Sequence, residues 1–166
     1  VLERLATVPQ EEYARRALKI VPKGGIDVVP LESAGRPGQI KLNAAIERQK
    51  ADGRPVRIVL VKSRQFGGST WIQGELMKRA TTTARRKVLI VAHRLDTAES
   101  LFEMGKTMWA HLPEQMRPPS GGFINPTRGA KILHLGEKVG GMIGWPNSRI
   151  AIDTAEEAEA GRGLTY

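Results

Sequence analysis

Cysteine is absent from the 166 residues, so disulfides and cysteine-ligated zinc are excluded. Histidine is scarce. His93, His111 and His134 stand apart, without the spacing that sets two imidazoles on one helix face, and they read as surface or packing residues. Aromatics are few (Trp 3, Tyr 2, Phe 3) and are not interleaved with basic residues, which argues against a stacking platform for single strands. No apolar run approaches the ~20 residues of a membrane span, so no membrane partner is expected. No signal-peptide pattern is present either, and a chain beginning at Val1 is consistent with a trimmed sequence. A soluble intracellular protein is the expectation.

What the chain has in excess is positive charge: 26 Lys and Arg against 17 Asp and Glu, a net +9. That balance suits an anionic partner such as nucleic acid. A basic surface that merely aids solubility is the alternative. The basic residues are spread out, with one local cluster at Lys78, Arg79, Arg85, Arg86 and Lys87 around Thr81-Thr82-Thr83. A helix gives way to a strand there, and the cluster reads as a solvated connecting loop. A chain of this length suits one domain and buries ~70% of its unfolded surface.

Residues 10–20 read as a short amphipathic helix with Tyr13, Ala17, Leu18 and Ile20 on one side, stopped by Pro22. Residues 22–39 are rich in Pro and Gly. Residues 1–39 are therefore expected to form a helix and an arm, with the core domain over residues 40–166. Asn43 is placed to cap a helix reaching Lys50. An apolar run at 56–61, broken only by Arg57, predicts a strand, and 69–79 predicts the helix after it. Residues 88–92 predict a buried strand. Asp96, with Glu99 three positions on, resembles a capping box for a helix carrying Leu101, Phe102, Met104, Met108 and Trp109 on its core side. Residues 118–127 read as a turn-rich loop and 131–135 as a strand. Residues 142–145 and 148–152 read as a hairpin turning at Pro146-Asn147. Strand–helix–strand–helix in this order predicts an α/β fold with a parallel sheet and right-handed crossovers.

Between the first strand and its helix lies Lys62-Ser63-Arg64-Gln65-Phe66-Gly67-Gly68-Ser69-Thr70. Such a loop can wrap anionic oxygens with backbone N–H groups, and the helix N-terminus adds its positive dipole end. Against the usual spelling G-x-x-x-x-G-K-[ST], Gly67 fits the second glycine and Ser69 the hydroxyl. Gly68 stands where the lysine would be and Lys62 where the first glycine would be. The lysine has moved to the strand end, from which it can reach back across the same phosphates. An ordinary glycine-bearing strand-to-helix turn is the alternative.

This displaced-lysine loop resembles the ATPase domain of tailed-phage terminase large subunits. The order of further features extends the resemblance over residues 40–166. They are the apolar strand ending in Ala92-His93, the acidic helix start at Leu95-Asp96-Thr97-Ala98-Glu99, the Asn147-Ser148 turn, Thr154-Ala155, and Gly161-Arg162-Gly163.

The resemblance implies a P-loop NTPase-type parallel sheet flanked by helices, incomplete in this chain. It implies ATP and Mg²⁺ as cofactors. Lys62 would contact the β- and γ-phosphates, and Arg64 and Gln65 would sit beside the γ-phosphate. Ser63 and Phe66 would belong to the loop, with Gly67 and Gly68 admitting the phosphates. Ser69 would ligate the metal, with Thr70 in reserve. Arg162 matches an arginine that reaches a neighbouring subunit's ATP, or is a surface arginine in a glycine turn. The implied activity is ATP hydrolysis coupled to packaging of double-stranded DNA, at the procapsid portal in the host cytoplasm. The implied partners are duplex DNA, the portal protein, the small terminase subunit and further copies in a ring. In the family, a strand ending in an acidic Walker B pair follows, and then a nuclease domain; both are expected beyond Tyr166, so little activity is expected of this chain alone. Asp153, after Ile150-Ala151-Ile152, is a weaker candidate for that acid. The rival readings are a non-catalytic basic nucleic-acid-binding domain and a helicase-like ATPase.

Overall fold

The computed structural model describes residues 2–22, 24–32, 36–63, 66–117, 121–124, 131–136, 138–139, 142–143 and 147–155. The chain opens with two short helices, α1 (Leu2–Ala6) and α2 (Gln10–Ala17). In α2 the acids Glu11 and Glu12 occupy the first turn and Arg15 and Arg16 the last, as the helix dipole favours. Its other face buries Tyr13, Ala14 and Ala17. Strand β1 (Lys19–Ile20) then pairs antiparallel with β2 (Val29–Pro30), and Leu31 N donates to Leu18 O at 2.8 Å. Leu18 and Leu31 are buried in one cluster with Tyr13, Trp71 and Met77. The Pro/Gly-rich stretch thus folds back onto the core.

Helix α3 (Pro37–Ala51) starts six residues before the expected cap at Asn43 and contains the boundary expected at residue 40. Pro37 explains the start: its missing N–H costs nothing in the first turn, and its fixed φ suits a helix. Helix α4 (Gly68–Thr82) follows, with Trp71, Met77 and Ala80 buried, and leads into β3 (Lys87–Ala92). Helix α5 (Leu95–Ala110) packs Ala98, Phe102, Met108 and Trp109 inward, as the spacing predicts. Its start differs: Arg94 holds the cap position, and Asp96 Oδ1 accepts from Thr97 N at 2.7 Å within the first turn.

A 3₁₀ turn (Glu114–Met116) leads to β4 (Gly121–Ile124), β5 (Lys131–Leu135), β6 (Lys138–Val139), β7 (Met142–Ile143) and β8 (Ser148–Thr154). The main sheet has the order β3-β8-β5-β4. β3 runs parallel to β8, from Lys87 opposite Arg149 to Ala92 opposite Thr154. β5 is antiparallel to β8, and β4 to β5. The sheet is therefore mixed rather than parallel, with helices beside it: a mixed α/β fold. β8 lies inside the sheet, and Ile150, Ala151 and Ile152 are all buried, which a two-sided covering requires.

Three sequence expectations fail here, each for a pairing reason. The hairpin over 142–152 does not form. Met142–Ile143 pairs with Lys138–Val139, while β8 pairs with β3 and β5. Asn147 does turn, at φ 48°, but the turn feeds β8 into a different sheet; Pro146 lies outside the described residues. The loop expected at 118–127 contains β4, whose Gly121-Gly122 start reads as a turn although β5 pairs with it. Residues 54–63 carry no strand pairing among the described residues. β-pattern alone makes no strand, because each backbone N–H and C=O needs a partner.

Candidate functional site

The approach to the loop is half anchored. Val56 and Leu60 pack against the core, whereas Val59 and Val61 are each 95% exposed. Gln49 of α3 stands in for a neighbouring strand at one point. Its Oε1 accepts from Arg57 N at 2.8 Å, and its Nε2 donates to Arg57 O at 3.2 Å.

The chain then reaches the N-terminus of α4, where the glycines are needed for different reasons. Gly67 caps the helix at φ 76°, a left-handed conformation that costs other residues roughly 1–2 kcal/mol. Its carbonyl accepts from Trp71 N at 3.0 Å, opening the helix, and from Gln39 Nε2 at 3.1 Å. Gly68 is buried beneath three side chains. A Cβ there would lie 3.0 Å from Phe66 Cδ1, 3.1 Å from Leu60 Cδ2 and 3.3 Å from Lys62 Cδ. The stem of Lys62 therefore crosses the helix N-terminus, while the residue as a whole stays exposed. Ser63 is exposed too, Phe66 half-buried, Ser69 exposed and Thr70 half-buried.

Of the residues singled out in the sequence, Lys62, Phe66, Gly67, Gly68 and Ser69 come together at the α4 N-terminus. Arg64 and Gln65, inside the loop, lie outside the described residues, as does Arg162 with its flanking glycines. No cluster of three or more metal-ligating side chains occurs among the described residues.

Beside Ser69 opens a cleft of about 430 Å³. Ile72, Gln73 and Leu76 of α4 form one wall; residues 90–93 at the end of β3, with Thr97 and Leu101 of α5, form the other. Gln73 Nε2 donates to Leu101 O at 2.7 Å, while its Oε1 is buried without a partner among the described residues. The carboxyl ends of parallel strands are where α/β folds place ligands. Asp153, the penultimate residue of β8, lies opposite Val91, 7% exposed, with Oδ1 accepting from Thr154 N at 2.8 Å. It is thus a residue of a seven-residue interior strand and not of a hairpin arm.

Sequence reasoning missed Gly38, Gln39 and Gln49. All three lie on α3 and support the loop across the chain. Gln39 is fully buried, and its Oε1 has no partner among the described residues. Its separation from Gly67 leaves no local pattern to read; only the packing of α3 against the loop reveals it.

No family model matches this sequence, and no curated protein matches it. Among solved structures, the fold is similar to that of the HK97 bacteriophage large terminase in its crystal structure. The TM-score is 0.59 at 16% identity, over 95% of this chain and 28% of that one. The fold is therefore terminase-like, and the chain spans about 28% of the length of the protein it matches.

Proposed function

We propose that this chain is the nucleotide-binding front of a viral DNA-packaging ATPase of the large-terminase kind. The observation that carries the reading is the crossing of the Lys62 stem over Gly68 at the start of α4, within a terminase-like fold.

The residues present fit an ATP phosphate chain with Mg²⁺. Gly68, having no Cβ, lets the Lys62 stem, Phe66 and Leu60 close over the start of α4. The first-turn N–H groups of that helix have no side-chain cap bond among the described residues and are placed to meet an anion beside the lysine. Lys62 would neutralise the β- and γ-phosphates, and the Ser69 hydroxyl, which has no partner among the described residues, would hold the metal. When bound, the magnesium nucleotide supplies the phosphoanhydride bond and the metal charge that phosphoryl transfer uses. The chain's own part is to orient the phosphates. Gln39 fixes the Gly67 carbonyl, which in turn fixes the first turn of α4. Arg64 and Gln65 are assigned to the γ-phosphate, and Arg162 to a neighbouring subunit's nucleotide in a ring of copies. Duplex DNA, the portal and the small subunit are the proposed partners, at the procapsid in the host cytoplasm. The 166 residues alone are expected to turn ATP over negligibly.

Calorimetric titration with magnesium ATP tests the reading. Lys62→Ala is expected to weaken binding at least tenfold, and Lys106→Ala, on the outer face of α5, to leave it unchanged. Equal affinities for the two variants would refute a phosphate loop and favour a basic binding module.

A further inference from the structure

In the basic cluster at the other end of α4, Arg85, Arg86 and Lys87 are exposed around the helix-to-strand turn, as the sequence suggests, but Lys78 is not. Lys78 is only 6% exposed, and its ammonium donates to the carbonyl of Val8. Burial lowers its pKa, against the opposing pull of Glu75. Arg79 Nε and Lys50 Nζ both reach Glu75 Oε1, at 2.9 and 2.8 Å. Arg86 sits in the turn before β3. Its backbone bonds to Ser148 and Arg149, and its guanidinium forms no ion pair among the described residues.

These four cations line one cavity of about 210 Å³, together with Glu75, Thr82, Thr83 and Ala6. The volume far exceeds the ~10–15 Å³ that one water needs. Cations near a helix C-terminus ordinarily offset its dipole, but that end carries only about half a negative charge. Glu75 adds one carboxylate, already shared by Lys50 and Arg79, and Glu47 pairs with Lys50 from outside at 2.7 Å. The cations remain in excess. The Thr82 hydroxyl is spent on Lys78 O, at 2.7 Å, whereas that of Thr83 has no partner among the described residues and is available to donate.

We propose that this pocket binds a phosphate group, with Arg86 as the principal clamp, Lys50 and Arg79 supplying charge, and Thr83 donating a hydrogen bond. The planar guanidinium fork matches phosphate oxygens, and a charge-assisted bond there is roughly twice as strong as a neutral one. The pocket lies at the far end of a 15-residue helix from the candidate nucleotide loop, roughly 20 Å away at 1.5 Å per residue. It is therefore a second anion site, independent of whether the loop binds nucleotide. The same chemistry is offered by free phosphate and by the backbone of duplex DNA, and the net +9 of the chain draws either.

The test is made on the full chain carrying Lys62→Ala, so that the nucleotide loop does not contribute. Arg86→Ala is compared with Lys106→Ala, an equal charge change elsewhere, and with Arg86→Lys. Inorganic phosphate is titrated at constant ionic strength, and a labelled duplex is titrated over a range of salt. Arg86 is exposed and its side chain has no described partner, so melting temperatures are expected to match. In the phosphate arm, Arg86→Ala is expected to lose about tenfold in affinity, Lys106→Ala to lose nothing and Arg86→Lys to recover part. If DNA is the source, Arg86→Ala also weakens the duplex more than Lys106→Ala does, lowers the salt slope by about one, and phosphate competes. If free phosphate is the source, the two variants affect the duplex equally while the phosphate loss remains. Identical behaviour of Arg86→Ala and Lys106→Ala in both arms overturns the proposal.

Discussion

Phe66 occupies the space that any side chain at Gly38 would need: a Cβ there would lie 1.7 Å from Phe66 Cε2. The ring of a loop residue is thereby seated on the first turn of α3, and the loop takes its position from that helix. Gly38→Ala is expected to displace the ring and destabilise the chain by about 1–3 kcal/mol, the usual cost of overpacking. Phe66→Leu in the same chain should return part of that loss. A urea-unfolding double-mutant cycle measures the coupling, and strictly additive effects would deny the contact.

Gly67→Ala combines two penalties. The left-handed φ costs roughly 1–2 kcal/mol. A Cβ would also sit 2.6 Å from Gln39 Nε2 and drive that amide from the carbonyl it holds. Gln39→Ala removes only the second term, and leaves Gly67 O with one hydrogen bond instead of two. Gly67→Ala is expected to be the more damaging in thermal melts, and both are expected to weaken magnesium ATP binding. An unchanged affinity in Gln39→Ala would show that the α3 contact does not shape the loop.

These two contacts mark what a sequence can and cannot disclose. Helices were legible where apolar spacing governs them, as in α5, but not their ends: α2 stops at Ala17 and gives way to β1 instead of running to Ile20 and Pro22, and α3 starts at Pro37 within the expected arm. β3 was legible from its run of Val88-Leu89-Ile90-Val91. Partners were not: the pattern of 56–61 is as strand-like as that of β3, yet among the described residues only β3 is paired. The lysine, glycines and serine of the loop could be read from their spacing, and they do meet at one helix end. Gly38, Gln39 and Gln49 could not, because their roles exist only once α3 lies beside the loop. Lys78 was misread since a helix-end lysine is ordinarily solvated, and nothing local announces that α1, α2 and α3 close over it.

Glu75 should govern acid stability. Burial pushes its carboxyl up, but the hydrogen bonds and charges of Lys50 and Arg79 outweigh that and hold it below the usual range. A depressed carboxyl stabilises the fold above its unfolded pKa of ~4.3, and the contribution fades as pH falls through the folded value. Glu75→Gln is therefore expected to be less stable than the parent at neutral pH, by about 1–3 kcal/mol. The gap should narrow below pH ~4. A gap independent of pH would mean that the carboxylate charge contributes nothing.

Tyr13 sets the alkaline limit. Burial raises its phenol to about 12, although its hydrogen bond with Thr81 Oγ1, at 3.0 Å, works the other way. A raised pKa means stability that is whole below the unfolded value of ~10 and is lost as pH climbs towards the folded one, at roughly 1.4 kcal/mol per unit. Tyr13→Phe gives up the hydrogen bond, about 1 kcal/mol at neutral pH, and should lose less stability between pH ~10 and ~12. Parallel curves for the two proteins in that window would place the alkaline loss elsewhere.

Val59 and Val61 test whether residues 56–61 are a strand awaiting its neighbour. Both side chains are almost wholly exposed, and the backbone beside them carries no strand pairing among the described residues. An open apolar edge of this kind is a template for pairing with another chain. Surface substitutions that touch nothing stay within about 0.5 kcal/mol, so Val59→Thr and Val61→Thr together are expected to leave the melting of this chain nearly unchanged. They should also reduce its self-association at high concentration, read by light scattering. β-Branched threonine keeps the extended preference, so any change reports lost apolar surface rather than lost strand propensity. In a longer protein in which further strands cover this edge, the same pair becomes a core change and is expected to cost several times as much. A large loss of stability in the 166 residues alone would show that the segment is already buried, by partners in solution, and that its exposure is not the state the chain adopts.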